Sequence, residues 1–453
     1  MKIFAVIVIL GAGLGTAFGQ SSTRAPEPLR SAAISIPIDA KSGSRLPLLT
    51  RADMQDEASA RIYDTVAGPG GDPPRGTLAI ALYSPPTAAA LHRIETYLWT
   101  ESDVERPLLS LASLIAAREM NLPHAWSEYS RTASQAGLAP AAIEAVRLNR
   151  PTAGLSAIDA LIIDFGRQLF RNRHVDSRTF AALAQQQGRQ RTFDIIMALT
   201  YPTMAGLLQR AVDQQPPANW NPDTLPVIPG VGTPIGQPGD FIELGPRPPL
   251  PADVHEDSYY RFPLLKRDEL DTRGRELFDR LVGKDRDTTP RGPVGMTFNS
   301  PEFAEPIQNL NTALRMEGLL DRRIAEIVVA ATGREMNSQY QWIVHGAAAE
   351  QAGAEQHVLD SMRTDGDLDH LDERDAVAIA FTRDLFRHDA VRPPTFDSAM
   401  RLFGARGTVE LAALVGDYLM MTTVYNALGM RLREDQTPTL PHRAGAPVGA
   451  EWR

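Results

Sequence analysis

A carboxylate and an imidazole stand 19 positions apart, Glu326 and His345, in the segment DRRIAEIVVAATGREMNSQYQWIVHGAAAEQAG that spans 321–353. Histidine exchanges protons near neutral pH, and a carboxylate that orients the ring makes the two a proton-transfer dyad. Glu326 has Val329 and Ala330 at +3 and +4, so it faces inward along an apolar wall. A carboxylate buried there without a partner has its pKa raised. The competing account of Glu326 is a structural ion pair with Arg322 or Arg323, one turn earlier. For His345 it is an ordinary core or surface histidine. A metal centre needs further ligands, and the sequence places no third one beside these two.

Two helices must carry the pair. Ile324, Ile327, Val328 and Ala331 form an i, i+3, i+4, i+7 apolar set. Gly333 and Asn337-Ser338 mark a break. Ser338, three residues before Gln341, has the spacing of a helix cap, and Gly353 ends the second helix. Glu326 and His345 then face one another across a helical hairpin. Tyr340, Trp342 and Arg334 flank them as candidate substrate-binding residues. Arg334 offers a guanidinium fork that suits a substrate carboxylate, against the simpler account that it shapes the turn. Trp342 is equally explained as core, and Tyr340 as a half-buried aromatic. His92, His174, His255, His357, His370, His388 and His442 show no partner pattern.

The hairpin has a copy 216 residues upstream. Arg118-Glu119-Met120-Asn121 matches Arg334-Glu335-Met336-Asn337, and Trp126 matches Trp342. The same offset aligns Ser84-Pro85 with Ser300-Pro301, Ala136-Gly137 with Ala352-Gly353, Leu169-Phe170-Arg171 with Leu385-Phe386-Arg387, and Phe180 with Phe396. Ungapped self-similarity of this length indicates a tandem duplication. Glu326 and His345 fall on Ser110 and Tyr129, and Tyr340 falls on His124, so the first copy lacks the dyad and the second bears the site. Apolar positions recur at helical spacing, no period-2 alternation persists, and Leu411 to Met430 reads as a helix buried on most sides. The expected fold class is all-α.

Residues 1–19 have the form of a cleaved signal peptide: Lys2, an apolar run from Ile3 to Leu10, and Ala17-Phe18-Gly19. An exported location, periplasmic or extracellular, follows, with no other membrane segment expected. A lead-in (20–46), expected to be mobile, precedes the first repeat (47–213). A Pro/Gly-rich linker (214–262), the second repeat (263–434) and a Pro- and Gly-containing tail (435–453) follow. The chain has no cysteine, so its stability comes from a core. A net charge of −9 argues against a nucleic-acid surface.

At Glu326, Tyr340-x-Trp342-x-x-His345 and the Ala-Gly helix end, the sequence resembles the carboxymuconolactone decarboxylase family, which includes the alkylhydroperoxidase D-like proteins. The segment 414–430 resembles that family's closing helix. The resemblance covers both repeats and implies helical units that associate through their long helices, here as an intrachain pseudo-dimer; association of whole chains into homo-oligomers stays open. The family's redox branch uses two cysteines that fall here on Ser338 and Gln341, so a thiol peroxidase route is excluded. The resemblance implies instead a decarboxylase or lyase that needs no cofactor and acts on a small carboxylated or lactone-type molecule. Glu326 and His345 would be its catalytic pair, with the first repeat completing or covering the pocket. The competing expectation is a binding or assembly module that keeps the pocket without the chemistry. A hydrogen-bonded pair opening into an apolar pocket favours the enzyme.

Overall fold

The computed structural model describes residues 36–68, 73–216, 221, 224–232 and 238–452. The expected signal peptide lies outside them. The chain is all-α: the two short strands, β1 (Phe241–Ile242) and β2 (His442–Arg443), form one antiparallel pair.

The first half carries α1 (Glu57–Ala67), α2 (Gly76–Ala81), α3 (Pro85–Thr96), α4 (Arg106–Glu119), α5 (Pro123–Gln135), α6 (Pro140–Arg147), α7 (Ala157–Asn172) and α8 (Ser177–Ala211). The second carries α9 (Thr272–Leu281), α10 (Pro293–Thr297), α11 (Ala304–Arg315), α12 (Arg322–Glu335), α13 (Gln339–Gln351), α14 (Gln356–Arg363), α15 (Glu373–Arg387) and α16 (Pro393–Ala427). The last five helices of each half begin at positions related by the offset seen in the sequence. The punctuation recurs with them. Asn121 and Asn337 both take φ 51° at the turn of the hairpin. Gly188 and Gly404 interrupt α8 and α16 with φ 73° and 68°, a left-handed conformation that glycine adopts without a Cβ penalty.

Local chemistry sets these boundaries. Asp321 accepts from the Ile324 amide to open α12, and Ser338 accepts from the Gln341 amide at 3.3 Å to open α13. Pro202 lies inside α8 and cannot donate to the Ala198 carbonyl one turn back. Ser113 of α4 supplies the missing donor to that oxygen at 3.2 Å.

The long helices α8 and α16 pack side by side and make the most extensive helix–helix contact in the molecule. Gly416 permits the close approach, since a Cβ there would lie 2.9 Å from Met204 Cγ. One apolar core runs through both halves, because the mostly apolar stretch of α16 that follows Gly404 is buried along its length.

The described end of the lead-in, a segment expected to be mobile, is packed, and so is the tail. Arg45 donates to the Val391 carbonyl at 2.8 Å and Leu46 is buried, so the end of the lead-in joins the second half. The tail crosses back over the hairpin: Arg443 is buried between Glu335 and Asp365, and Glu451 accepts from the Gln339 and Tyr340 amides at 2.6 and 2.9 Å. Helix termini leave amides and carbonyls without helical partners, and the tail supplies Glu451 as acceptor for the amides that open α13. The 216–251 segment contains no α-helix among its described residues, and its Phe241–Ile242 pairs with the tail.

Candidate functional site

The hairpin of α12 and α13 brings Glu326 and His345 together: His345 Nδ1 lies 2.8 Å from Glu326 Oε2. Glu326 is fully buried and also takes Arg322 Nε at 2.7 Å and the guanidinium of Arg315 from α11. The i, i+4 ion pair with Arg322 and the contact with His345 are therefore both present. Arg323 is committed elsewhere, to Asp375.

Burial alone would raise the Glu326 carboxyl, but the hydrogen bond and charge of His345, and then Arg315, hold it down at about 2. Burial lowers the imidazole of His345 against the opposing pull of Glu326. A carboxylate can only accept, so Nδ1 carries the proton and Nε2 carries the lone pair. Arg315 and Arg322 sustain the Glu326 anion while the ring is neutral.

His345 opens onto a cavity of about 280 Å³, whose lining comes entirely from the second half. The first half therefore neither completes nor covers it. Thr297 and Val294 close one side. Asn311 and Arg315 come from α11, Tyr340, Val344 and His345 from α13, and Asp417, Tyr418, Met421 and Tyr425 from α16. The His345 and Tyr418 rings meet edge to face at 4.9 Å, and Asn311 Nδ2 donates to Tyr418 Oη at 3.0 Å. Arg315 Nη1 donates to Asn311 Oδ1 at 3.2 Å.

Asp417 is the residue that sequence reasoning missed. Its side chain is buried, Oδ1 has no hydrogen-bond partner, and burial raises the carboxyl to about 7 against Asn311 and Arg315. The available signal was its isolation, as the one acidic residue between Leu411 and Met430. A lone acid on an otherwise apolar buried helix is costly unless it serves something. Arg315, Asn311 and Tyr418 had no sequence signal of their own.

The other candidates divide. Tyr340 lines the cavity, packed edge to face on Tyr425 at 5.5 Å. Trp342 does not: it is buried among Ile327, Leu359 and Ile379. Arg334 does not either. Its Nη1 donates to the Pro441 carbonyl at 2.6 Å, and its guanidinium lies over Phe241. Arg118 makes the matching contact to the Pro226 carbonyl at 2.7 Å, so this arginine ties down the segment that follows each half. Glu326 is outside the lining, behind His345. It positions the ring, whereas the expectation had both residues in the pocket.

Among the described residues no group of three His, Asp or Glu has the arrangement to hold a metal ion. No helix there is long and apolar enough to cross a membrane. In comparison with known proteins, no family model matches the chain and no curated protein matches it.

The cavity offers an imidazole lone pair, a carboxylic acid that is part protonated near neutral pH, and a guanidinium and a phenol as hydrogen-bond donors. Such a set can remove a proton, return one and hold a developing oxyanion.

Proposed function

We propose that the chain is a carboxymuconolactone decarboxylase-like acid–base enzyme, working without a cofactor on a small carboxylated or lactone-type substrate in the second-half cavity. The observation that carries this reading is the Glu326–His345 hydrogen bond behind a cavity that also holds Asp417. Two carboxyls pushed in opposite directions, about 2 and about 7, mark a division of labour. The residue pattern at Glu326, Tyr340 and His345 supports the family, and the matching helix order of the two halves supports an origin by duplication. Export rests on the sequence of residues 1–19.

In a decarboxylation the carbon–carboxylate bond breaks, carbon dioxide leaves, and the electron pair stays on carbon, delocalised onto a neighbouring carbonyl as an enolate. Arg315 and the Tyr418 hydroxyl are the donors for that oxygen. The Asp417 proton then closes the valence on carbon. His345 Nε2 is the base for any proton the substrate must lose first, and Glu326 keeps that nitrogen free by holding the other.

The test is turnover of a panel of small carboxylated lactones, followed by carbon dioxide release and proton uptake. His345→Ala and Asp417→Asn should each lower kcat by about 10²-fold or more. Tyr129→Phe, in the first half, should leave it unchanged. Turnover that survives both second-half changes would overturn the reading.

A further inference from the structure

The first half encloses a cavity of its own, about 490 Å³, at the place corresponding to the second-half site. Tyr129 lines it as His345 lines the other, and Ser110 lines it too, although its counterpart Glu326 lies behind the second-half lining. The acid–base pair is absent there, but the cavity is not bare. Glu95 stands where Asn311 stands in the second half, Trp99 where Arg315 stands, and Tyr201 where Asp417 stands. Tyr201 Oη donates to Glu95 Oε1 at 2.7 Å. The rings of Trp99 and Tyr129 stack with centroids 6.3 Å apart.

We propose that this cavity is a second and separate ligand site, built for a small organic ammonium ion. In the second half a buried carboxylate is held by the guanidinium groups of Arg315 and Arg322 and by the His345 N–H. In the first half the positions of Arg315 and His345 have become aromatic, as Trp99 and Tyr129, and a carboxyl has appeared on α3. Among the described residues Glu95 forms no ion pair. Of the two arginines in the lining, Arg75 is exposed and Arg106 donates to the Leu98 carbonyl at 3.4 Å. A carboxyl without a counter-ion that shares one cavity lining with aromatic rings is a combination that recognises an organic cation through charge and ring quadrupoles together. Ser110 Oγ is fully buried, lines the cavity and has no hydrogen-bond partner, so an acceptor stands ready for an ammonium N–H.

Burial raises Glu95 to about 7, against the Tyr201 hydrogen bond and helped by Glu128. Glu128, Tyr129, Tyr201, Arg75 and Arg106 are the titratable groups around it, and of these Glu128 and Arg75 are exposed. An arriving cation favours the ionised carboxyl, so affinity should rise between about pH 6 and pH 8. The site does not depend on the chemistry proposed for His345.

The experiment is calorimetric titration of the full chain at about pH 8 with benzylamine, its neutral near-isostere benzyl alcohol, and benzoate. Benzylamine should bind at least about tenfold more tightly than the other two and quench tryptophan fluorescence. Glu95→Gln, which keeps the shape and removes the charge, should erase that preference. Benzyl alcohol or benzoate binding within about threefold of benzylamine would overturn the proposal, as would no detectable benzylamine binding at millimolar concentration. Unchanged benzylamine affinity in a folded Glu95→Gln protein would overturn it too. The comparison of three probes on the unaltered protein decides the matter even if that variant does not fold.

Discussion

Arg315 from α11 reaches Glu326 on α12, while the corresponding positions of the first half hold Trp99 and Ser110. The replacement of Glu326 by Ser110 in the first copy does not make Glu326 dispensable to the second half, since the first half has lost the Arg315 cation together with the anion. Glu326→Gln should therefore lower stability by about 3 kcal/mol as well as activity, because it leaves Arg315 without its charge partner. Chemical denaturation measures it. The double change Arg315→Trp with Glu326→Ser should recover part of the loss, and an additive double mutant would refute the coupling.

Proton linkage gives the pH dependence of stability. Glu326 sits below its ordinary value of 4.5, at about 2, so the folded protein holds fewer protons there than the unfolded chain. Its contribution is complete above about 4.5 and is lost as pH falls towards 2. Asp417, Glu95 and Glu451 sit above their ordinary values, each near 7, so at these sites the folded state holds more protons and stability falls as pH rises from about 4 through 7. Thermal unfolding should show the highest Tm in the mildly acidic range. A Tm that climbs steadily from pH 5 to 8 would contradict these directions.

Asp417→Asn removes one of those alkaline penalties. It should stabilise the protein at about pH 8 by on the order of a few kcal/mol, with little gain at about pH 4, while lowering kcat. Opposite effects on stability and turnover distinguish an acid kept for chemistry from one kept for packing. Equal destabilisation at both pH values would assign Asp417 to packing.

The pH profile of kcat/KM should be bell-shaped, with limbs that belong to the coupled His345, Glu326 and Asp417 set and not to single residues. Asp417→Asn should flatten the alkaline limb, on which the protonated acid is lost. An unaltered limb in that variant would place the acid elsewhere.

The tail holds the hairpin through Arg443, which bridges Glu335 at 3.0 Å and Asp365 at 2.8 Å while almost fully buried. Arg443→Ala removes a guanidinium from two carboxylates, Glu335 and Asp365, that Arg387 also binds. A loss of about 3–5 kcal/mol is expected, together with faster proteolysis of residues 435–452. A loss under about 1 kcal/mol would mean that the tail is not structural.

What the sequence by itself determined is what short-range chemistry controls. The all-α class follows from apolar spacing, the opening of α13 from Ser338 and Gln341, and the recurrence of five helices from one constant offset. Glu326 and His345 were legible as a pair because a hairpin brings together residues that are close in the chain. What only the tertiary structure decided depends on helix crossing and on exclusion of water. Arg315 and Asp417 reach the site from α11 and α16, the latter 91 positions beyond Glu326, and no local pattern encodes that meeting. The raised carboxyl of Asp417 comes from desolvation, a property of the packed surroundings. Trp342 and Arg334 carry the residue types of a binding site, yet they were drawn into the core and into the tail by neighbours distant in the chain. The tail folds back because the hairpin presents unpaired amides and buried carboxylates to it, and that demand exists only once α12 and α13 have packed.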